Sequence, residues 1–343
     1  MNKISTISID LAKHVFQVMG FDKKGFPCLS KRLSREKLKE TMLNIPPCTV
    51  VMEACSSSHY WGRLFQSMGH HVRLVPAQHV TPFVRGNKND KNDCLAIFEA
   101  SQRPNIRFVP IKSEEQQAIL LLHRQRERLI ASRTACINQT RSLLLEFGIV
   151  LPKSRAGFKA QLPLLQEQAL HPVILSMLTD VEDELQGLDK QIKQIDAKFQ
   201  CTTKQNAAAK IMRSIPGIGP LIASAYSAAI DKGQAFKNGR DLGVWLGLTP
   251  LQHAPGNINR LGGITKRGDG YLRKQLIHGA RTVVNHADKK DDDLSRWIVS
   301  LVERRGKNKA VVATAHRLAR LMWILLHKNE GYVPQFSQQG ITA

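Results

Sequence analysis

Acidic side chains are scarce in this chain, which has 50 Lys+Arg against 28 Asp+Glu. Four of them are nevertheless placed where they could do chemistry. Asp10 closes the apolar stretch ISID and Glu53 follows the apolar run CTVVM, while Asp90 and Asp93 lie in NKNDKNDCLA, residues 87–96. Residues three apart share one face of a helix, so Asp90 and Asp93 would project together from a helix starting there. Four carboxylates gathered at one sheet edge repel one another unless cations lie between them. Oxygen ligands of this kind suit Mg²⁺ or Mn²⁺. Two such ions about 3.5–4 Å apart can activate a nucleophile and stabilise the leaving oxygen of a phosphodiester. The plainer reading takes an Asp after a strand as a turn residue and NDKND as a helix-capping cluster with solvated charge.

The elements that must position these acids are legible from periodicity. Strands are expected over residues 4–9, 14–21 and 26–33. A helix capped by Ser34 should run through Leu43, followed by a strand over 48–52, a helix over 56–68 and a strand over 71–75. Three strands and then alternating helices and strands imply an α/β domain with a mixed sheet covered on both faces. Beyond Pro110 the texture becomes helical, giving an overall class of α/β plus all-α. Residues 113–147 contain one Gly-free, Pro-free stretch that fits one long helix. A second long helix begins near Pro172 and carries Val181, Leu185, Leu188, Ile192, Ile195 and Phe199. Their alternating spacing of four and three is a coiled-coil seam or the apolar face of a bundle helix, and such an arm could join protomers. The expected divisions are 1–110 for the α/β domain, 111–205 for the helical arm, 206–330 for a helical C-terminal domain and 331–343 for a tail.

The formal charge of +22 is unfavourable without a polyanion to screen it, which makes nucleic acid the expected partner. No apolar run approaches the roughly 20 residues of a membrane span. The N-terminus has no signal-peptide pattern. The six cysteines are scattered without a C-x-x-C pair, as suits small core residues in a reducing cytoplasm.

The C-terminal domain holds two further features. PGIGP, between two helices, has the form of a helix-hairpin-helix or of a plain helix–helix turn. In the first case Gly217 and Gly219 would let backbone N–H groups meet a phosphate. The stretch 260–281 carries Arg260, Lys266, Arg267, Arg273, Lys274 and Arg281 against Asp269 alone, with Tyr271 available for stacking. Contacts of this type position a nucleic-acid backbone and do not read its sequence.

The segments ISIDLAKHVFQV, VVMEACSSSHYWGRLFQSMGHHVRLVPA and RGNKNDKNDCLAI resemble the N-terminal domain of the DEDD transposases of bacterial insertion sequences, a family that includes pilin-gene-inverting recombinases. IPGIGPLIAS, GLTPLQH and RLGGITKRGDGYLRKQLIHGAR resemble that family's C-terminal block. The resemblance runs over nearly the whole chain. It implies an RNase H-like (RuvC-like) first domain in which Asp10, Glu53, Asp90 and Asp93 bind the catalytic Mg²⁺ or Mn²⁺. It also implies insertion, excision or inversion of DNA by a homo-oligomer, a dimer or a tetramer, in some members directed by an element-encoded guide (bridge) RNA.

One departure bears on mechanism. The family's loop before the basic stretch commonly carries a serine pair and a glycine, and the serine is held to attack DNA. The matching residues here are Ala254-Pro255-Gly256, and neither Ala nor Pro can act as a nucleophile. Ser224 and Ser227 fall in an apolar helix and are poor substitutes. Two other readings therefore stand beside the recombinase. One is a metal-dependent, structure-specific nuclease. The other is a nucleic-acid-binding remnant whose chemistry has lapsed.

Overall fold

The computed structural model describes residues 4–85, 89–231, 233–255, 258 and 260–334. Asn87, Lys88 and Gly256 of the stretches above, and most of the expected tail, lie outside these residues. The chain divides after Glu114 into two compact units. From Glu115 on, the expected arm (111–205) falls in the second unit together with the expected C-terminal domain (206–330).

The first unit is built on strands β1 (Thr6–Asp10), β2 (Val15–Phe21), β3 (Pro27–Ser34), β4 (Thr49–Glu53) and β5 (His71–Val75), with helices α1 (Arg35–Leu43), α2 (Ser58–Ser67), α3 (Ala77–Val80) and α4 (Asp90–Ser101). The sheet order is β3-β2-β1-β4-β5. β1, β2 and β3 pair antiparallel, while β1, β4 and β5 run parallel. This mixed sheet is consistent with the expected RNase H-like domain. Alternation along each strand sorts its two faces. Ile7, Ile9, Phe16, Val18, Val50 and Met52 share a core with Leu38 of α1 and with Trp61 and Phe65 of α2. The opposite face carries Val51 and Val75 against Ala96, Ile97 and Ala100 of α4. Trp61, Phe16 and Phe65 are fully buried, each contributing roughly 1.5–3 kcal/mol by leaving water.

The second unit contains α5 (Glu114–Leu145), α6 (Arg155–Gln166), α7 (Pro172–Gln205), α8 (Ala207–Arg213), α9 (Pro220–Ile230), α10 (Gly239–Trp245), the hairpin β6 (Pro250–His253) and β7 (Arg260–Ile264), α11 (Gly270–Asn285), α12 (Asp293–Arg305) and α13 (Lys307–Lys328). α6 occupies a stretch in which Pro163 would argue against a helix. It tolerates Pro163 because Ser154 caps its start, accepting from Gly157 N–H at 3.0 Å, and because Phe158, Leu162 and Leu165 are buried.

The seam residues of α7 are covered by neighbouring helices. Leu185, Ile192, Ile195 and Phe199 are buried within this chain, against residues of α5 such as Ile119, Leu129 and Cys136. Arg126 bonds Asp196 (2.6 Å) and Arg133 bonds Asp189 (2.7 Å) along the same pair of helices. The buried seam residues thus pack on α5 and α9 of the same chain, as the apolar face of a bundle helix does. Among the described residues no helix is long and apolar enough to cross a membrane. All six cysteines are free thiols.

Candidate active site and nucleic-acid interface

Strand register settles where the first two acids go. Ile9 stands beside Met52 on adjacent parallel strands, so Asp10 and Glu53 are neighbours at the ends of β1 and β4. Asp10 also faces Gln17, Gln17 faces Arg32, and Glu53 faces Val75. One transverse row thus crosses the whole sheet: Arg32, Gln17, Asp10, Glu53, Val75. Residues opposite one another in a sheet point to the same side. Here it is the side covered by α4, because Ile9 and Met52 point to the other core.

α4 supplies the other pair. Asn89 caps the helix, its side-chain oxygen accepting from Asn92 N–H at 2.8 Å, and Asp90 and Asp93 occupy the first turn. Carboxylates there are favoured by the helix dipole. One turn on, the helix is pinned to the sheet: Ser8 Oγ donates to the Cys94 carbonyl (2.7 Å) and the Cys94 thiol donates to the Gln17 carbonyl (3.2 Å). Burial pushes the Cys94 thiol up to about 12, opposed by a backbone hydrogen bond from Asp10 and reinforced by the charges of Asp10 and Asp93. Both carboxylates thus act electrostatically on the same buried thiol. Asp90 takes a different direction. It stands 3.9 Å from Arg32, on a cavity of about 410 Å³ that Gln17 and Arg32 also line.

The basic module divides into outward and inward residues. Arg260, Lys266, Arg267 and Arg281 are exposed. Tyr271 is not a stacking surface, because it is 8% exposed and its hydroxyl bonds His123 Nδ1 at 2.8 Å. His123 Nε2 in turn meets Ser224 Oγ at 3.1 Å. Burial pushes Tyr271 up to about 12 and His123 down to about 3, the latter helped by Arg126 and Arg124. Arg273 is a brace: its guanidinium donates to the carbonyls of Leu246 and Arg267, both at 3.0 Å. Lys274 pairs with Glu127. Gly217, at φ +80°, packs rather than presents, since a Cβ there would lie 2.5 Å from Val283 Cγ2 and 2.7 Å from the Gly279 carbonyl oxygen. Gly219 is exposed at the N-cap of α9 with open space around it. The loop 265–268 lies backbone to backbone on the end of α10, with Lys266 N–H donating to the Gly247 carbonyl at 3.1 Å. Ala254 and Pro255, at the positions matched to the family serine, are exposed in the β6–β7 loop.

Comparison with known proteins places both halves. Residues 7–149 match a family described as a transposase of the DEDD, IS110 type, and residues 209–295 match the "Transposase IS116/IS110/IS902 family". A probable family 20 transposase of Pseudomonas aeruginosa is 43% identical over 96% of this chain and 99% of its own length. The chain belongs to the IS110/IS116 family of DEDD transposases. The transposase for insertion sequence element IS1111A of Coxiella burnetii is 39% identical, covering 97% of this chain and 92% of its own. At 22% identity, the pilin gene-inverting protein of Moraxella bovis still aligns over 95% and 97% of the two chains.

All four acids of this transposase fall in the first matched block, and Gly217, Gly219, Arg260, Lys266, Arg267 and Arg281 all fall in the second. DEDD nuclease-like transposase domains typically use divalent metals. The residues here fit such a cation in donor type, all carboxylate oxygens, and in backbone placement across β1, β4 and α4. As the side chains stand, no three His, Cys, Asp or Glu among the described residues are close enough to hold a metal ion. Gln17 and Arg32 are the row members that sequence reasoning missed. Their signal was the pairing of β2 with β1 and β3, readable only once a register is assigned.

Proposed function

We propose that this transposase cleaves and transfers DNA strands with Mg²⁺ or Mn²⁺ held by Asp10, Glu53 and Asp93, joined by Asp90 when it leaves Arg32. The observation that supports this reading most is the register that sets Asp10 beside Glu53 on the face α4 covers, with Asp93 in the first turn of that helix. A cation held there supplies charge stabilisation at the scissile phosphate and lowers the pKa of the attacking group. The chain's own part is positional. Cys94 and Ser8 fix the start of α4 against β1, and Asn89 sets the first-turn geometry. Arg260, Lys266, Arg267 and Arg281, with the open N-terminus of α9 at Gly219, hold a phosphate backbone. Asp10→Asn is expected to abolish metal-dependent cleavage while DNA affinity stays within about twofold, since a single buried-edge carboxylate contributes little to backbone binding. Cleavage surviving in Asp10→Asn would remove the acid row from the role.

The partners in this reading are DNA and, following the family resemblance, an element-encoded guide RNA. Sequencing the nucleic acid that co-purifies with the full chain tests the second: one defined RNA supports it, and mixed-sequence fragments reject it.

Ala254 and Pro255 favour a second reading, a metal-dependent nuclease that releases product without covalent attachment to a serine. Pro255→Ser separates the two. A gain of strand transfer marks a recombinase that has lost its nucleophile. Unchanged release of free DNA ends from a branched substrate favours the nuclease.

A further inference from the structure

The first unit carries a second concave surface near the start of β5. A cavity of about 590 Å³ lies between that strand and the segment after α4. The segment folds back on β5, where Val109 N–H donates to the Leu74 carbonyl (2.8 Å) in an antiparallel bridge. The cavity wall is therefore tied to the sheet.

Its charge is one-sided. Arg73 and Arg103 line it, and no Asp or Glu does. Among the described residues neither guanidinium has a carboxylate partner; each rests on a phenyl ring, Arg73 5.2 Å from the centroid of Phe108 and Arg103 5.2 Å from that of Phe83. A ring beneath a guanidinium fixes its plane and leaves its N–H groups directed at the rim, ready for an oxyanion. In a chain of charge +22, two such groups in one concavity repel each other unless an anion lies between them. Gln66, His71 and Gln102 add polar groups. The arginines already cover one face of Phe83 and Phe108, so these rings serve as supports for the guanidiniums, and the cavity suits a phosphate chain better than a base.

The placement relative to the acids is favourable. Arg73 lies two residues before Val75, which stands beside Glu53 at the end of the transverse row. At about 3.3 Å per residue this is roughly 7 Å along the strand, and the even spacing puts Arg73 on the same face as Val75 and Glu53.

We propose that this cavity is a subsite for the phosphodiester backbone of nucleic acid, in which Arg73 and Arg103 bind non-bridging phosphate oxygens and align the strand with Asp10 and Glu53. This rests on the reading of the chain as a nucleic-acid enzyme. The test uses the full chain, with duplex DNA and an RNA hairpin of matched length, titrated at several salt concentrations. The Arg73→Gln/Arg103→Gln double variant is expected to bind about tenfold more weakly and to flatten the slope of log K against log salt by about two, close to one released counterion per lost phosphate contact. Arg73→Lys/Arg103→Lys should recover the slope, since charge and not packing sets it. Loss with DNA alone or RNA alone assigns the backbone to that polymer. Unchanged affinity and slope in a double Gln variant of wild-type melting temperature would overturn the site. If that variant does not fold, phenylglyoxal modification of the wild-type protein decides: bound nucleic acid shields both arginines if the site exists, and equal modification with and without it rejects the site. Metal-dependent cleavage by the wild type is read separately, so binding without cleavage would sink the catalytic reading and leave this subsite standing.

Discussion

The acid row and the basic module were both read from charge, yet the structure treats them differently. On the sheet, Asp10 and Glu53 arrive on the same face as neighbours, because strand side chains alternate with a period of two and Ile7, Ile9, Val50 and Met52 claim the other face. In the module, Tyr271, Arg273 and Lys274 turn inward or pair internally, while Arg260, Lys266, Arg267 and Arg281 face outward. A strand in a sheet has two faces, one of them marked by apolar residues. Helix α11 has α9, α12 and α13 around it, so a charged or aromatic residue on it can be spent on a neighbour as readily as on solvent. Charge alone therefore locates a site on a strand end better than on a packed helix.

The sharpest way to break this comparison is to remove one of the row's two acids. Glu53→Gln should lower metal-dependent cleavage by at least about a thousandfold, a loss of about 4 kcal/mol of transition-state stabilisation, with the melting temperature nearly unchanged. Substantial residual turnover would mean that the row is structural, no better placed for chemistry than the inward half of the module.

A pair of glycine variants probes the module next. Gly217→Ala should destabilise the second unit by about 3 kcal/mol, through a positive φ and a collision with Val283 and Gly279. Gly219→Ala should cost about 1 kcal/mol or less, since alanine is a poorer N-cap than glycine but meets no clash there. Equal melting temperatures for the two would show that Gly217 is free to present its backbone after all.

Acid should expose the inward network. His123 titrates near 3 in the folded chain against about 6.5 unfolded. The unfolded state alone takes up the proton between these values, so stability is full above about pH 6.5 and falls as pH drops towards 3. The loss at pH 5 should be about 2 kcal/mol. Denaturant midpoints at pH 7 and 5 measure it, and His123→Gln should flatten the difference; an equal drop in that variant would assign the acid sensitivity elsewhere. The smallest effect belongs to an outward residue: Arg267→Ala should reduce the salt slope of DNA binding by about one without changing stability, whereas Tyr271→Phe should change stability by about 1 kcal/mol and leave the slope alone.

Much of the architecture was legible because it is local. The expected strands at 71–75 and 4–9, the helix capped by Ser34, and the long helices near 113–147 and from Pro172 all correspond to observed elements. α6 was hidden by Pro163, a strong breaker that buried Phe158 and Leu162 override. The β6–β7 hairpin was hidden by the short, fully exposed PLQH strand, which has no apolar alternation to mark it. The heptad on α7 correctly announced a buried seam, but a periodic pattern does not name its partner, and α5 of the same chain took that place.

The sequence by itself determined which acids end the strands and open α4, the excess of positive charge, and the absence of a hydroxyl at Ala254 and Pro255, since each is a property of residue type and local periodicity. Only the tertiary structure decided that Gln17 and Arg32 share the row with Asp10, that Asp90 turns to Arg32, and that Tyr271, Arg273 and Gly217 serve the interior. Those outcomes depend on strand register and helix packing, in which residues far apart in the chain compete for the same neighbours and burial selects the winner.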